Sequence, residues 1–260
     1  MRHLRSKKNI KMTKTIKGAI GLFALLAIWH LAAVTHNSVL FPTPCEVIKS
    51  LSGLFRDGIM IEHINTSMMR FAVGYTLAAI SGIVLGMFFG WFAGVWSFFN
   101  PIIQVLRPVS PIAWIPFIVL WFGIGDIPAI VIIFLAAFYP VLLSTIAAVG
   151  RVDKIYLKVA QNFSLTRFQT LTKIILPASF PQISTGLHQA IGTSWVFLVA
   201  GEMIGAQSGL GFLIIDARNN LRPDWLLAAI LTIGIIGLLL DILVNLFEKQ
   251  IYKKWGVVQP

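Results

Sequence analysis

Residues 158–177 read KVAQNFSLTRFQTLTKIILP, a polar, basic, helix-compatible stretch between two long apolar runs, closing on Ile174-x-Leu176-Pro177. A chain that is otherwise apolar can interrupt itself with some twenty cationic residues only where they stand outside lipid, since a charge at bilayer depth costs at least about 2.5 kcal/mol. The stretch therefore divides the chain into membrane-embedded halves, and as a helix-compatible surface it is expected to dock something rather than merely connect.

The surrounding composition agrees. Of 260 residues, 57% are hydrophobic and 12% charged, with a mean hydropathy of +0.83, whereas soluble domains carry roughly 25% charged residues. This is the composition of an integral membrane protein. The formal charge of +11 would suggest nucleic acid in a soluble protein, but the positions of the charges argue otherwise. Arg2, Arg5, Lys7, Lys8, Lys11, Lys14 and Lys17 precede the first apolar run, Arg151, Lys154, Lys158, Arg167 and Lys173 fill the central island, and Lys249, Lys253 and Lys254 follow the last run. The positive-inside rule assigns all three groups to the cytoplasm. The remaining connections hold Lys49, Arg56, Arg218 and Arg222 against Glu46, Asp57, Glu62, Asp126, Asp216 and Asp224, a slightly acidic mixture suited to the opposite side.

Apolar runs near 17–35, 66–92, 101–122, 127–149, 178–201 and 226–247 are each about the 20 residues a spanning helix needs. Because backbone polar groups in lipid must be satisfied internally, spans of this length are helices. The expectation is an all-α protein of six transmembrane helices: a basic cytoplasmic N-terminus (1–16), a membrane domain (17–248) whose cytoplasmic loop occupies about 150–176, and a cytoplasmic tail (249–260). The basic start followed by 18–34 has the outline of a signal peptide, but the further spans favour an uncleaved first helix. Residues 42–64 suit a surface helix between spans. Gly74, Gly82, Gly86, Gly90 and Gly94 recur at spacings of four or eight, a face for close helix packing. Pro101, Pro108, Pro111, Pro116 and Pro140 interrupt the third and fourth spans, and broken helices at membrane depth often line a cavity.

Catalytic machinery is not legible. Gly-Lys never occurs, so no phosphate-binding loop is present, and His3, His30, His36, His63 and His188 are scattered without metal-ligand spacing. The single Cys45 excludes an internal disulfide. No catalytic residue and no metal site is expected. Four ionisable residues lie at membrane depth: Arg70, Arg107, Glu202 and Asp241. Arg107, in LRPVSPIAWIP, either meets an anion or snorkels to the surface. For Arg70 and Glu202 an ion pair or interfacial placement is expected, and Asp241 would serve as a structural partner. His188 is a packing histidine or a ligand contact. Of the tryptophans, which favour interfaces, Trp114, Trp121 and Trp195 are the ones a pathway would use. Arg107, Ser110, Trp114, His188, Trp195 and Glu202 form the candidate translocation set.

The island resembles the cytoplasmic loop of permease subunits of binding-protein-dependent ABC importers, which runs Glu-Ala-Ala, three residues, Gly, nine residues, Ile-x-Leu-Pro. Lys158-Val159-Ala160 stands in the Glu-Ala-Ala place, Ser164 in the glycine place, and Ile174, Leu176 and Pro177 match. Serine is less permissive at positive φ. LFPTPCEVIKSL at 40–51, RPVSPIAWIPFIVLWFGIGD at 107–126, LPASFPQISTGLHQAIGTSWVFLVAGEMIG at 176–205 and SGLGFLI at 208–214 are similar to the subfamily serving sulfonates, taurine, nitrate and bicarbonate.

The resemblance implies a type I ABC importer permease in the cell inner membrane, acting as a homodimer with two cytoplasmic ATP-binding subunits and an extracytoplasmic solute-binding protein. ATP with Mg would be bound by the partner ATPase, with no cofactor in this chain and no nucleic acid. The docking surface would comprise Lys158, Val159, Ala160, Gln161, Phe163, Ser164, Ile174, Leu176 and Pro177, inserted into an ATPase cleft. Aspartate at Ala160 or Phe163 should then uncouple hydrolysis from transport. The implied solute is an aliphatic sulfonate or taurine; nitrate, bicarbonate or a small heterocycle is the alternative. A stand-alone channel or secondary transporter is disfavoured by the island, and a membrane enzyme by the missing chemistry.

Overall fold

A computed structural model describes residues 2–36 and 40–255. The side chains of residues 2–16, 19, 36, 154 and 252–255, and all of 1, 37–39 and 256–260, which include the expected cytoplasmic N-terminus and most of the tail, lie outside the described residues. All regular structure among the described residues is helical: α1 (Arg2–His36), α2 (Pro44–Arg56), α3 (Ile59–Trp91), α4 (Ala93–Leu106), α5 (Ile115–Phe122), α6 (Asp126–Gly150), α7 (Lys154–Asn162), α8 (Arg167–Thr170), α9 (Leu176–Gly205), α10 (Leu210–Asn219) and α11 (Pro223–Trp255). A 3-10 turn, Pro111–Trp114, precedes α5, and a π-helical segment, Leu171–Ile175, joins α8 to α9.

Three helices are long and apolar enough to cross a membrane, or up to five if each of two bent pairs is one span. The shorter apolar helix Ile20–Thr35 makes the set compatible with six. The expected third span differs from a straight helix. It begins at Ala93, and its halves, Ala93–Leu106 and Pro111–Phe122, meet at 83°. The break falls at 107–110 because Pro108 and Pro111 cannot donate to a preceding turn, and Pro111 holds the residue before it, Ser110, extended at ψ 133, while Arg107 is still helical. Pro101 and Pro140, by contrast, sit inside continuous helices. Residues 42–64 also divide: α2 stops at Arg56, Gly58 adopts φ 78, and α3 starts at Ile59.

The chain forms two compact units, residues 1–60 with 214–230 and residues 61–213 with 231–260. In the first, α2 opens on a capping box in which the Thr43 side chain and Glu46 satisfy each other's backbone N–H groups. The Thr43 backbone N–H, then its hydroxyl, hold the Glu46 carboxyl below its ordinary pKa. Ser50 Oγ donates to Asp224 Oδ2 at 2.6 Å, and Trp29 Nε1 donates to the Pro42 carbonyl at 3.2 Å.

In the second unit α6 is central, the most buried of the three long apolar helices. The small residues Gly74, Ala78, Gly82, Gly86 and Gly90 form one stripe of α3. A Cβ at Gly86 would stand 2.5 Å from Thr145 Cβ, and one at Gly90 would stand 2.7 Å from Val149 Cβ, so α3 lies directly on α6. Gly94 lies past the end of α3 with open space around it. Across α6, Gly186 of α9 lies against Ser144 and the Pro140 carbonyl. With no hydrophobic drive between helices inside lipid, such close approach is what holds them together.

Candidate functional site

The basic island folds as a short amphipathic helix, a turn and the start of a long helix. Asp153 caps α7, its carboxylate accepting from the Ile155 N–H at 2.9 Å. At the other end the Leu165 N–H bonds to the Ala160 carbonyl at 3.0 Å and the Ser164 N–H to the Gln161 carbonyl at 2.9 Å. Ser164 has φ 50. This is the Schellman arrangement, and Ser164 occupies the left-handed position that glycine normally fills. Thr166 and Gln169 then form a capping box that starts α8. From Arg167 the helix runs on through Pro177 into α9, with the π segment immediately before the proline. A proline ring clashes with the carbonyl four residues back, and the wider π turn relieves that clash. The second half of the island is thus the beginning of α9 rather than a separate helix.

Lys158, Val159, Gln161, Phe163 and Ser164 are exposed; Ile174, Leu176 and Pro177 are half-buried. Phe163 is 74% exposed, whereas Ala160 is 3% exposed. The structure therefore places the docking candidates in two parts, α7 with its C-terminal turn and the start of α9, and separates exposed from packed ones. Phe163 and its exposed neighbours present a surface, and Ala160 packs the loop itself.

The membrane-depth charges fall into three places. Arg70 Nη1 donates to Glu202 Oε1 at 2.9 Å and to the Ser208 carbonyl at 2.7 Å; its Nε donates to Asp126 Oδ1 at 2.7 Å and Nη2 to Ser208 Oγ at 2.7 Å. Glu202 also accepts from Ser67 Oγ at 2.8 Å and from the Gly211 N–H at 2.9 Å. The Leu210 N–H donates to Ser67 Oγ at 2.8 Å, and the Gly209 N–H to His63 Nδ1 at 3.0 Å. Side chains of α3 and α9 thus satisfy the orphan donors at the start of α10, and the Glu202 carboxylate complements that positive helix end. Gly209, at φ 101, has no room for a Cβ beside the Glu202 carboxylate. The ion pair expected for Arg70 and Glu202 is present. Between the apolar runs 178–201 and 226–247 the chain thus holds a ten-residue helix that side chains outside it stabilise.

His188 and Asp241 form a second group, Nε2 to Oδ1 2.8 Å, with Glu248 Oε1 at 3.7 Å from Nδ1. Trp195 is buried, donating Nε1 to the Ile233 carbonyl at 3.2 Å. The third place is a cleft of about 290 Å³ between the 107–110 break, α6 and α9, lined by Arg107 and by Tyr139, Ser144, Gln189 and Thr193. Ser110 is exposed within the break, and Trp114 lines an adjoining apolar cleft with Phe117 and Trp121. The six translocation candidates are therefore not one site. Glu202 lies in the buried cluster, His188 faces α11, Trp195 packs between helices, and Arg107 opens on a cleft whose hydroxyl and amide lining was not anticipated. No group of His, Cys, Asp or Glu among the described residues could hold a metal ion.

Residues 58–255 match the family described as binding-protein-dependent transport system inner membrane component. The chain belongs to that family. This permease is 35% identical over 263 residues to the taurine transport system permease protein TauC of Escherichia coli K12, covering 98% of this chain and 96% of that one. It is 36% identical to the nitrate import permease protein NrtB of Leptolyngbya laminosa, covering 92% and 88%. It is 32% identical to the putative aliphatic sulfonates transport permease protein SsuC of Bacillus subtilis 168, covering 96% and 91%. A chain of the MetNI methionine ABC transporter in an inward-facing conformation superposes with a TM-score of 0.61 over 76% of this chain and 96% of that chain, at 16% identity. The permease thus has the type I ABC importer fold, and it is a multi-pass membrane transport component of the taurine, sulfonate and nitrate group.

Proposed function

We propose that this permease forms the translocation pathway of an ATP-driven importer for a small oxyanion, with an aliphatic sulfonate or taurine as the solute. The observation that carries the proposal is the similarity to a taurine permease over nearly the whole chain. Nitrate is the second reading, favoured by the equal identity to a nitrate permease. Two copies of the chain would pair with two ATP-binding subunits, which bind and hydrolyse ATP with Mg, and with a solute-binding protein on the extracytoplasmic face. Both termini would be cytoplasmic, in keeping with the positive charge at 2–17, 151–173 and 249–254.

Coupling would run through α7. Phe163, Lys158 and Gln161 on its exposed side would enter a cleft of the ATPase as a helix-in-groove contact. Displacement of α7 would pass through Ser164 and α8 directly into α9, since no flexible joint separates α8 from the span. Rigid-body movement of that kind is how packed helices transmit a switch.

The test is ligand-stimulated ATP hydrolysis by the permease reconstituted with its genomic-neighbour ATPase and binding protein, assayed with taurine, alkanesulfonates, nitrate and bicarbonate. Stimulation by one of these is expected. Failure of the permease to assemble with the ATPase would overturn the coupling assignment, and stimulation by none of the four would overturn the solute class.

A further inference from the structure

We infer that the cleft between the 107–110 break, α6 and α9 is a transient binding station for a monoanionic oxyanion bearing a short apolar tail, the alkanesulfonate class, and that it makes no use of an ammonium group; the inference rests on the importer reading above. It starts from a contrast between two arginines. Arg70 is sealed, and its guanidinium is taken up by Glu202, Asp126 and Ser208. Arg107 lines the cleft and, among the described residues, takes no part in any ion pair or side-chain hydrogen bond. An intramembrane cation is costly enough that it normally faces a partner or a watery cavity. Here the chain supplies the cavity and leaves the partner to come from outside.

The other lining groups define that partner. The side chains of Tyr139, Ser144 and Gln189 line the same cleft and likewise make no hydrogen bond among the described residues, so each has a proton to give. Thr193 already donates to the Gln189 carbonyl at 2.6 Å and has none. A guanidinium fork with two hydroxyls and an amide is a donor set for a planar or tetrahedral oxyanion, which can accept in several directions at once. No carboxylate lines the cleft among the described residues, so the ammonium of a zwitterion would find no countercharge there, and burying it unpaired is unfavourable. Leu135, Leu143 and Phe197 complete the lining and suit an alkyl chain. The cleft, about 290 Å³, stands at the small end of ligand sites, which suits a small organic anion.

The probe is propanesulfonate, observed by saturation-transfer NMR on the permease–ATPase complex in lipid nanodiscs without binding protein. Transfer to the propyl protons is expected, displaced by nitrate, and weaker for taurine at equal concentration. Arg107→Gln should lower the apparent affinity about tenfold or more, as the loss of a charge-assisted hydrogen bond does. Gln189→Leu, on a different helix, should lower it several-fold. Co-purification with the ATPase establishes that each variant is folded. Absent transfer in the unaltered complex, or equal transfer in both variants, would overturn the station; taurine transferring as strongly as propanesulfonate would overturn the exclusion of the ammonium. ATPase stimulation of the complete importer is read separately, so a stimulated complex without saturation transfer removes this site and leaves the transport assignment standing.

Discussion

Arg70 and Glu202 form an ion pair, Nη1 to Oε1 2.9 Å, in which one side chain is 1% exposed and the other 0%. The two residues come from α3 and α9, and the pair is extended by Asp126 at the start of α6, itself 52% exposed. The other carboxylate oxygen of Glu202 and the Ser67 hydroxyl accept from the first N–H groups of α10. One buried cluster therefore ties three helices and a fourth helix's beginning.

Breaking it should destabilise the permease. Glu202→Ala leaves Arg70 with Asp126, while Arg70→Leu leaves the Glu202 carboxylate with neutral donors only. Removing one partner of a buried pair costs about 3 to 5 kcal/mol, and Arg70→Leu belongs at the upper end. Thermal unfolding in detergent, followed by size-exclusion fluorescence, is expected to show both variants below the parent and Arg70→Leu lowest. A melting temperature unchanged in Arg70→Leu would show that the cluster does not hold these helices.

Gly86 and Gly94 should respond oppositely to a side chain. At Gly86 a Cβ meets Thr145 Cβ at 2.5 Å and the Leu142 carbonyl at 3.0 Å, so Gly86→Val must separate α3 from α6, at an overpacking cost of about 1 to 3 kcal/mol. Gly94 has nothing within 4 Å, and Gly94→Ala is expected to be neutral. Melting curves of the two variants side by side test this directly.

Ser164→Gly should stabilise the island. The left-handed conformation costs a non-glycine residue about 1 to 2 kcal/mol, and glycine's extra freedom when unfolded returns up to about 1 kcal/mol of that gain. The net is about 0.5 to 1 kcal/mol, or about two- to fivefold slower amide exchange across 160–165. Faster exchange would show that Ser164 makes a compensating contact.

Aspartate substitutions at Ala160 and Phe163 should fail for different reasons. Phe163 is a surface ring, so Phe163→Asp should leave the permease's own melting temperature intact. If it is an anchor in the ATPase cleft, recovery of the ATPase falls by about tenfold or more, as loss of a buried aromatic hot spot does. Ala160 packs inside the loop, so Ala160→Asp buries a carboxylate and should melt the loop first. Pull-down with the ATPase, set beside a melting curve, separates the two; equal ATPase recovery with Phe163→Asp and the parent would remove Phe163 from the interface.

Apolar run length and charge placement were enough to reach a helical membrane protein, because the cost of exposing backbone or charge to lipid is large and acts on every residue of a span. The island, the small-residue stripe on α3 and the resemblance to binding-protein-dependent permeases were legible for the same reason: each is a local pattern with one physical meaning. The 83° break at 107–110 was half legible. Five prolines marked the region, but only neighbours decide which proline bends a helix and which is absorbed, as Pro101 and Pro140 are. An ion pair was one of two placements expected for Arg70 and Glu202, but the partners themselves were not legible. Nothing along the chain says that Arg70 reaches Asp126 and Glu202 while Arg107 reaches no partner among the described residues, or that His188 meets Asp241, since these contacts join residues 53 to 132 positions apart. By itself the sequence determined the solvent this protein lives in, its helical character and its family. The tertiary structure alone decided which of its charges hold helices together and which one stands open in a cleft, because a charge acquires its role from what lies within hydrogen-bonding distance of it.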